Sequence, residues 1–439
     1  MKSPSFSTDE TPLFICSMRK QLFFLLLFFS PSLLFAQHGA KQSKVSAATL
    51  DAFEAEVVKE IQEQKMAGAA YLIYHQGKVQ RMKAFGEADK ASHKPMETNS
   101  LFRLASMTKP IATLALLLLQ EDGLLNMNDR LDTYLPAFAN PKVLVKQDTL
   151  LGVPILQTEA AKSPILLQHL LTHRAGFASN SPWGNTLVGL YLATSPDVNA
   201  HDLTHFSDQL AKLPLSHEPG EGWIYGPSIN VASRVVEVVS GIPFQDFVQQ
   251  RILDPLGMKS TMFFLEESDA ERLTTLYTPD DQAGLRVMDP GTVSSKLISG
   301  PKVFYSGSGG MVSTLEDYLT FCVMILNDGK HQGKQIAKPE TIALMKTDQV
   351  PLNINAHYFD EGRQLAEGFT FGYQIVRKET SKTMKRKGTI AWSGATGPIF
   401  FIDPKEELIG IYMFQTQPGG QVGTRKTFPD WMIKALRPE

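Results

Sequence analysis

Leu101-Phe102-Arg103-Leu104-Ala105-Ser106-Met107-Thr108-Lys109-Pro110-Ile111-Ala112-Thr113-Leu114-Ala115-Leu116-Leu117-Leu118-Leu119 is the stretch from which the rest of the chain is read. After Pro110 it is apolar on every face, which fits a helix buried inside a domain rather than one lying on its surface. A helix starting near Ser106 places Ser106 and Lys109 one turn apart on the same face. A hydroxyl beside an amine is a nucleophile beside a possible base. The first-turn N–H groups favour the anion that forms when a serine attacks a carbonyl. Burial favours the neutral amine, the form that can take a proton. Ser-x-x-Lys alone is a weak pattern, and it recurs at Ser17 with Lys20 and at Ser299 with Lys302. Only Ser106 opens a buried helix.

At 439 residues the chain is long enough for two subdomains with a large core. Its formal net charge of −2 excludes electrostatic attraction to nucleic acid or acidic membranes. Met18-Arg19-Lys20, the apolar run from Gln21 to Phe35 and the small-residue box before Gln37 read as an export signal over residues 1–36, with either Met1 or Met18 as the start. The expected protein is therefore exported, periplasmic or secreted, without a stable membrane anchor. Removal of the signal takes Cys16 with it and leaves Cys322 alone, so no intramolecular disulfide is expected.

The spacing of Leu50, Phe53, Val57 and Ile61 predicts an amphipathic helix, and residues 69–74 and 79–85 predict a hairpin around His75-Gln76-Gly77-Lys78. Residues 99–300 read as mostly helical, with a small strand excursion at 143–145 and 153–156. Helices are expected over 314–327 and 338–347, and strands over 371–377, 389–392, 399–403 and 408–414. The connections between those late strands are too short for crossover helices, so an antiparallel meander is expected. The N-terminal hairpin completes it. The fold class is α/β of the α+β kind, an antiparallel sheet flanked by helices, formed from both chain ends. The expected organisation is a signal at 1–36, a helix and hairpin at 37–98, an inserted helical domain at 99–300 and the completing helices and strands at 301–439.

Two further stretches can complete a site around Ser106. In His217-Glu218-Pro219-Gly220-Glu221-Gly222-Trp223-Ile224-Tyr225-Gly226-Pro227, Tyr225 precedes a predicted helix over 228–239. It is either a packed loop tyrosine or a proton carrier, since an adjacent ammonium pushes a phenol toward phenolate. Ala391-Trp392-Ser393-Gly394-Ala395-Thr396-Gly397 ends a strand with small residues, where the Ala395 amide can join that of Ser106 as an oxyanion hole. Gly307-Ser308-Gly309-Gly310 either lines the cleft or forms a simple loop. No Gly-x-Ser-x-Gly elbow is present. His169 with His173 and His201 with His205 lack the glutamate of a zinc motif and read as structural, so no metal or organic cofactor is expected.

Ser-x-x-Lys, a tyrosine after a His-Glu-Pro-Gly loop and Trp-x-Gly on a late strand resemble, in that order, the serine β-lactamase-like family. Within it they resemble the family VIII carboxylesterases, which look like class C β-lactamases but cleave esters. The resemblance runs from about Leu50 to Phe414 and includes His169 to His173 and Leu253 to Met258. It implies Ser106 as acylated nucleophile, Lys109 and Tyr225 as the base pair, and the Ser106 and Ala395 amides as oxyanion hole, with Trp392, Gly394, Pro227 and Gly309 around a small ester substrate. Two departures narrow that substrate. Pro227 stands where Tyr-x-Asn has its asparagine, and Trp392 stands where Lys-Thr-Gly has its lysine. A neutral indole cannot pair with a carboxylate, so neutral esters with short to medium acyl chains are favoured. A β-lactamase or D-amino-acid peptidase is the alternative, and a non-catalytic relative that binds cell-wall fragments is the third reading.

Overall fold

The computed structural model describes residues 45–150, 153–179, 187–194, 196, 200–356, 366–381 and 383–437. They lie in one compact unit, residues 44–439. The expected signal at 1–36 is outside the described residues, as are Cys16 and the pair Ser17 and Lys20.

Apolar runs form a sheet whose central strands are buried on both faces, while its N-terminal edge is largely open to solvent. Its strands are Gly68–His75 (β1), Lys78–Asp89 (β2), Lys94–Pro95 (β3), Glu367–Phe369 (β4), Gln374–Val376 (β5), Ile390–Ser393 (β6), Ile399–Asp403 (β7) and Leu408–Phe414 (β8). The order is β4-β5-β6-β7-β8-β1-β2-β3, antiparallel throughout. The chain ends meet where β1 pairs with β8, Ala69 opposite Phe414 and His75 opposite Leu408. Because strand side chains alternate, β1 gives Tyr71 and Ile73 to one core and Ala70 and Leu72 to the other.

The first core lies under two helices, Ala47–Gln62 (α1) and the C-terminal Gly423–Ala435. Phe53 and Phe428 meet there at 5.6 Å between ring centroids. Sequence patterning gave no sign of that C-terminal helix, which carries Pro429 in its interior. Its buried Phe428, Met432 and Ala435 nevertheless hold it against the sheet. The second, larger core contains Lys109–Glu121 (α2), Ser228–Ser240 (α3) and Leu315–Leu326 (α4), and the C-terminal helix becomes α5. The excursion of the helical region is a hairpin of Lys142–Leu150 with Val153–Ala160. The strand expected over 371–377 is shortened to 374–376, because Gly372 at φ +112° turns the chain back to β4. No helix among the described residues is long and apolar enough to cross a membrane.

Every residue of α2 from Lys109 to Leu119 is buried. Leu116→Ala is expected to cost about 2–5 kcal/mol by loss of transfer free energy and creation of a cavity. A lowered urea midpoint with an unchanged slope would register it.

Candidate active site

The segment Phe102–Arg103 pairs with Val312–Ser313 and runs into a 3₁₀ turn, Ala105–Thr108, before α2 begins at Lys109. Ser106 therefore sits in a tighter turn ahead of the helix, where a single α-helix starting near Ser106 was expected. Ala105 takes a left-handed φ of +45°, a strain of about 1–3 kcal/mol stored one residue before the serine. That bend presents Ser106 Oγ to two partners. The Tyr225 hydroxyl donates to it at 2.7 Å, and Lys109 Nζ stands 3.3 Å away. The similar pair Ser299 and Lys302 does not meet: Ser299 Oγ donates to the Ser295 carbonyl at 3.0 Å, and Lys302 Nζ donates to Glu266 at 2.7 Å.

Lys109 is buried, and the loss of hydration pulls its amine down to about 7. Nζ donates to the Ser308 carbonyl at 2.7 Å and lies 4.8 Å from the centre of the Tyr225 ring. The Ser308 loop is held in turn by Asn230 of α3, whose Oδ1 accepts the Ser308 N–H at 2.8 Å and the Ser306 hydroxyl at 2.9 Å. One proton of the amine is thus committed to a fixed carbonyl, which holds Nζ beside Ser106 Oγ. Neither Asn230 nor the Ser308 carbonyl stood out in the sequence. An asparagine one turn into the helix after Tyr225 was the available clue.

Tyr225 lies between the short strand Gly222–Trp223 and α3, boxed by aromatic rings. His173 is 4.7 Å from its ring centre, Trp392 5.4 Å and Trp223 6.2 Å. Burial pushes the phenol well above its ordinary value, while the Ser106 hydroxyl and the Trp392 indole pull only weakly the other way. This corrects the expectation of a phenolate: burial disfavours the charged form of Tyr225, so the phenol keeps its proton beside the Lys109 amine. His173, also buried, is pushed well below its ordinary value by desolvation, with the Lys109 ammonium adding to the effect when it is protonated. His169 Nδ1 accepts the Leu166 N–H at 3.2 Å, and His201 stacks on His205 at 4.9 Å. Among the described residues no group of three or more His, Cys, Asp or Glu side chains could hold a metal ion.

The end of β6 supplies the second amide. Neither the Ser106 nor the Ala395 N–H donates to another described residue, so both remain available to an oxyanion. Their spacing is set by a close approach of two backbones. A Cβ on Gly394 would lie 2.3 Å from the Leu104 carbonyl oxygen. Thr396 Oγ1 donates to the Arg103 carbonyl at 2.9 Å, and Gln415 binds both the N–H and the carbonyl of Arg103 at 3.0 and 3.1 Å. Arg425 of α5 spans the loop from behind, donating at 2.9 Å to the carbonyls of Gly394 and Gly397. Gly394→Ala is expected to push the Ala395 amide off target and lower kcat about a hundredfold. An unchanged KM in steady-state assays would place that loss in the transition state.

A cleft of about 580 Å³ opens over Ser106, Tyr225, Trp392, Gly394 and Ala395. Two residues expected to touch substrate do not line it. Gly309 packs on the Ala105 backbone, where an added Cβ would lie 3.4 Å from the Ala105 carbonyl carbon, and Pro227 is buried at the start of α3. Their contribution is to shape the turns that carry Ser106 and Tyr225. The cleft wall also includes Lys385 and Glu367, which no sequence pattern placed there.

A family model described as beta-lactamase matches residues 50–428. Protein Rv1367c of Mycobacterium tuberculosis (strain ATCC 25618 / H37Rv) is 32% identical over 365 residues, covering 80% of this chain and 86% of the relative. Esterase EstB of Burkholderia gladioli is 27% identical over 399 residues, covering 86% and 92%. Among solved structures, EstCE1, a hydrolase with promiscuous acyltransferase activity, superposes with a TM-score of 0.71 at 25% identity, covering 89% of this chain and 98% of that one.

Proposed function

The chain belongs to the beta-lactamase family, and on that premise we propose that it is a serine carboxylesterase acting through an acyl-serine intermediate on esters with short to medium acyl chains. The observation that carries the reading is the meeting of Tyr225 and Lys109 on Ser106 Oγ, at 2.7 and 3.3 Å, beneath an indole wall. The names of EstB and EstCE1 point the same way.

In the first step Ser106 Oγ bonds to the ester carbonyl carbon while neutral Lys109 takes the hydroxyl proton. The carbonyl oxygen becomes an anion facing the Ser106 and Ala395 amides. The C–O bond to the alcohol then breaks, the Tyr225 phenol gives the alkoxide its proton, and Lys109 restores that proton to Tyr225. Water attacks the acyl-serine, passes its proton to the same pair, and Ser106 leaves as a hydroxyl. An alcohol in place of water gives acyl transfer by identical steps, a variant favoured by the second activity in EstCE1's description. The pattern of residues 18–36 further supports export as its setting.

The test compares p-nitrophenyl butyrate with nitrocefin. Ester turnover well above nitrocefin turnover is expected. Faster nitrocefin hydrolysis would move the assignment to the amide-cleaving relatives and defeat the argument from Pro227 and Trp392.

A further inference from the structure

The cleft continues past Trp392. Lys385, Ile399, Arg425 and Pro429 line both it and an adjoining depression of about 220 Å³, so the two form one trough from Ser106 to the loop between β5 and β6. Three cations border this far end, Lys385, Arg425 and Lys426, against the carboxylates Glu367 and Asp430. Their commitments differ. Arg425 is engaged with the Gly394 and Gly397 carbonyls, and Asp430 accepts the Met384 N–H at 2.7 Å. The Lys385 side chain keeps only 17% of its exposure, and its nearest anion, Glu367 Oε1, stands 3.9 Å away. That is an ion pair without a hydrogen bond. An ammonium has three donors, and among the described residues none of those of Lys385 is used.

We propose that Lys385 is a specificity-determining residue that binds a carboxylate carried by the substrate, at the opposite end of the molecule from the ester that reaches Ser106. The proposal rests on the ester-hydrolase reading and refines it. Trp392 removes the cation beside the oxyanion hole, and Lys385 supplies one further out. A half-ester of a dicarboxylic acid has the required chemistry. The carboxylate would sit in a partly dehydrated trough, where attraction to a cation exceeds that at an open surface. Glu367, 3.9 Å off, leaves the ammonium room for a second acceptor.

The experiment uses the full chain and its Lys385→Met and Lys385→Arg variants with three esters. p-Nitrophenyl butyrate is neutral, mono-p-nitrophenyl glutarate carries the carboxylate on the acyl side, and 4-butyryloxybenzoate carries it on the alcohol side. In the wild type, kcat/KM for one charged ester relative to the neutral one is expected to be about tenfold higher than in Lys385→Met, with Lys385→Arg between them and the effect shrinking in salt. The charged ester that responds identifies the side. Equal ratios in wild type and Lys385→Met for both charged esters would overturn the proposal. Protection of Ser106 from a fluorophosphonate by glutarate keeps the two readings apart. Protection in wild type but not in Lys385→Met supports the carboxylate site even where no ester is turned over, which would instead defeat the esterase reading. Equal protection, or none, counts against Lys385.

Discussion

Ser106→Ala is expected to lower kcat for p-nitrophenyl butyrate by about ten-thousandfold to a millionfold and to abolish labelling by a fluorophosphonate. The size follows from the arrangement. Ser106 Oγ is the atom on which the Tyr225 hydroxyl and the Lys109 amine converge, and Ser106 and Ala395, whose amides are the proposed oxyanion hole, both line the cleft. Without the oxygen, base and hole have nothing to act through, so effects within this group are far from additive. The remaining rate measures what the hole and the binding of substrate accomplish for water attack alone. Alanine fits the half-buried position without a clash, and an unchanged far-UV spectrum and melting temperature should accompany the loss. A variant that kept full activity would show that the chemistry lies elsewhere.

The fold class was legible in the chain, as was the convergence of Ser106, Lys109, Tyr225 and Trp392, whereas Gly309 and Pro227 fall outside the cleft and the contacts that tune the site were hidden. The pairing of both chain ends was readable because β1 and β8 are continuous apolar runs, buried on both faces, and each needs a second neighbour beyond its own hairpin partner, β2 and β7. The composition of the site was readable because Ser106, Lys109, Tyr225 and Trp392 to Ala395 each carry a local reason for their chemistry. What stayed hidden are properties of three-dimensional neighbours. Tyr225 next to a lysine suggested a phenolate, and only its enclosure by His173, Trp223 and Trp392 shows that burial wins over the neighbouring amine. Lys109 is aimed by a backbone carbonyl, which has no sequence signature, and Asn230 acts on that carbonyl from another element. Lys385 is one of several charges between residues 383 and 387, and nothing in its sequence neighbours reveals that β5 and β6 bring it to the cleft. α5 was missed because Pro429 argues locally against a helix that packing against α1 and the sheet enforces.

Lys109→Met is expected to lower kcat by on the order of 10³ to 10⁴, as loss of a positioned base does, and to do so without weakening the fold. In the wild type the amine must be neutral to accept the Ser106 proton. With its pKa drawn down to about 7, activity should rise as pH increases through 7 and level off above it. The methionine variant should lack that limb, because the titrating group is gone. Lys109→Arg should be equally inactive and show no limb either, since a guanidinium stays protonated throughout. Stability carries an independent sign. The amine titrates near 7 folded but near its ordinary 10.5 unfolded, so between those values the unfolded chain binds more protons and stability climbs with pH. Below 7 the folded protein must hold the buried charge, and the penalty is complete. Methionine removes the charge while keeping the volume, so its stabilising effect should be largest in acid and fade toward pH 10. Thermal melts of both proteins across pH 5 to 10 read this directly. A variant that is inactive and less stable than wild type at pH 5 would mean that the lysine is held chiefly by its bond to the Ser308 carbonyl, and that desolvation is not what sets its basicity.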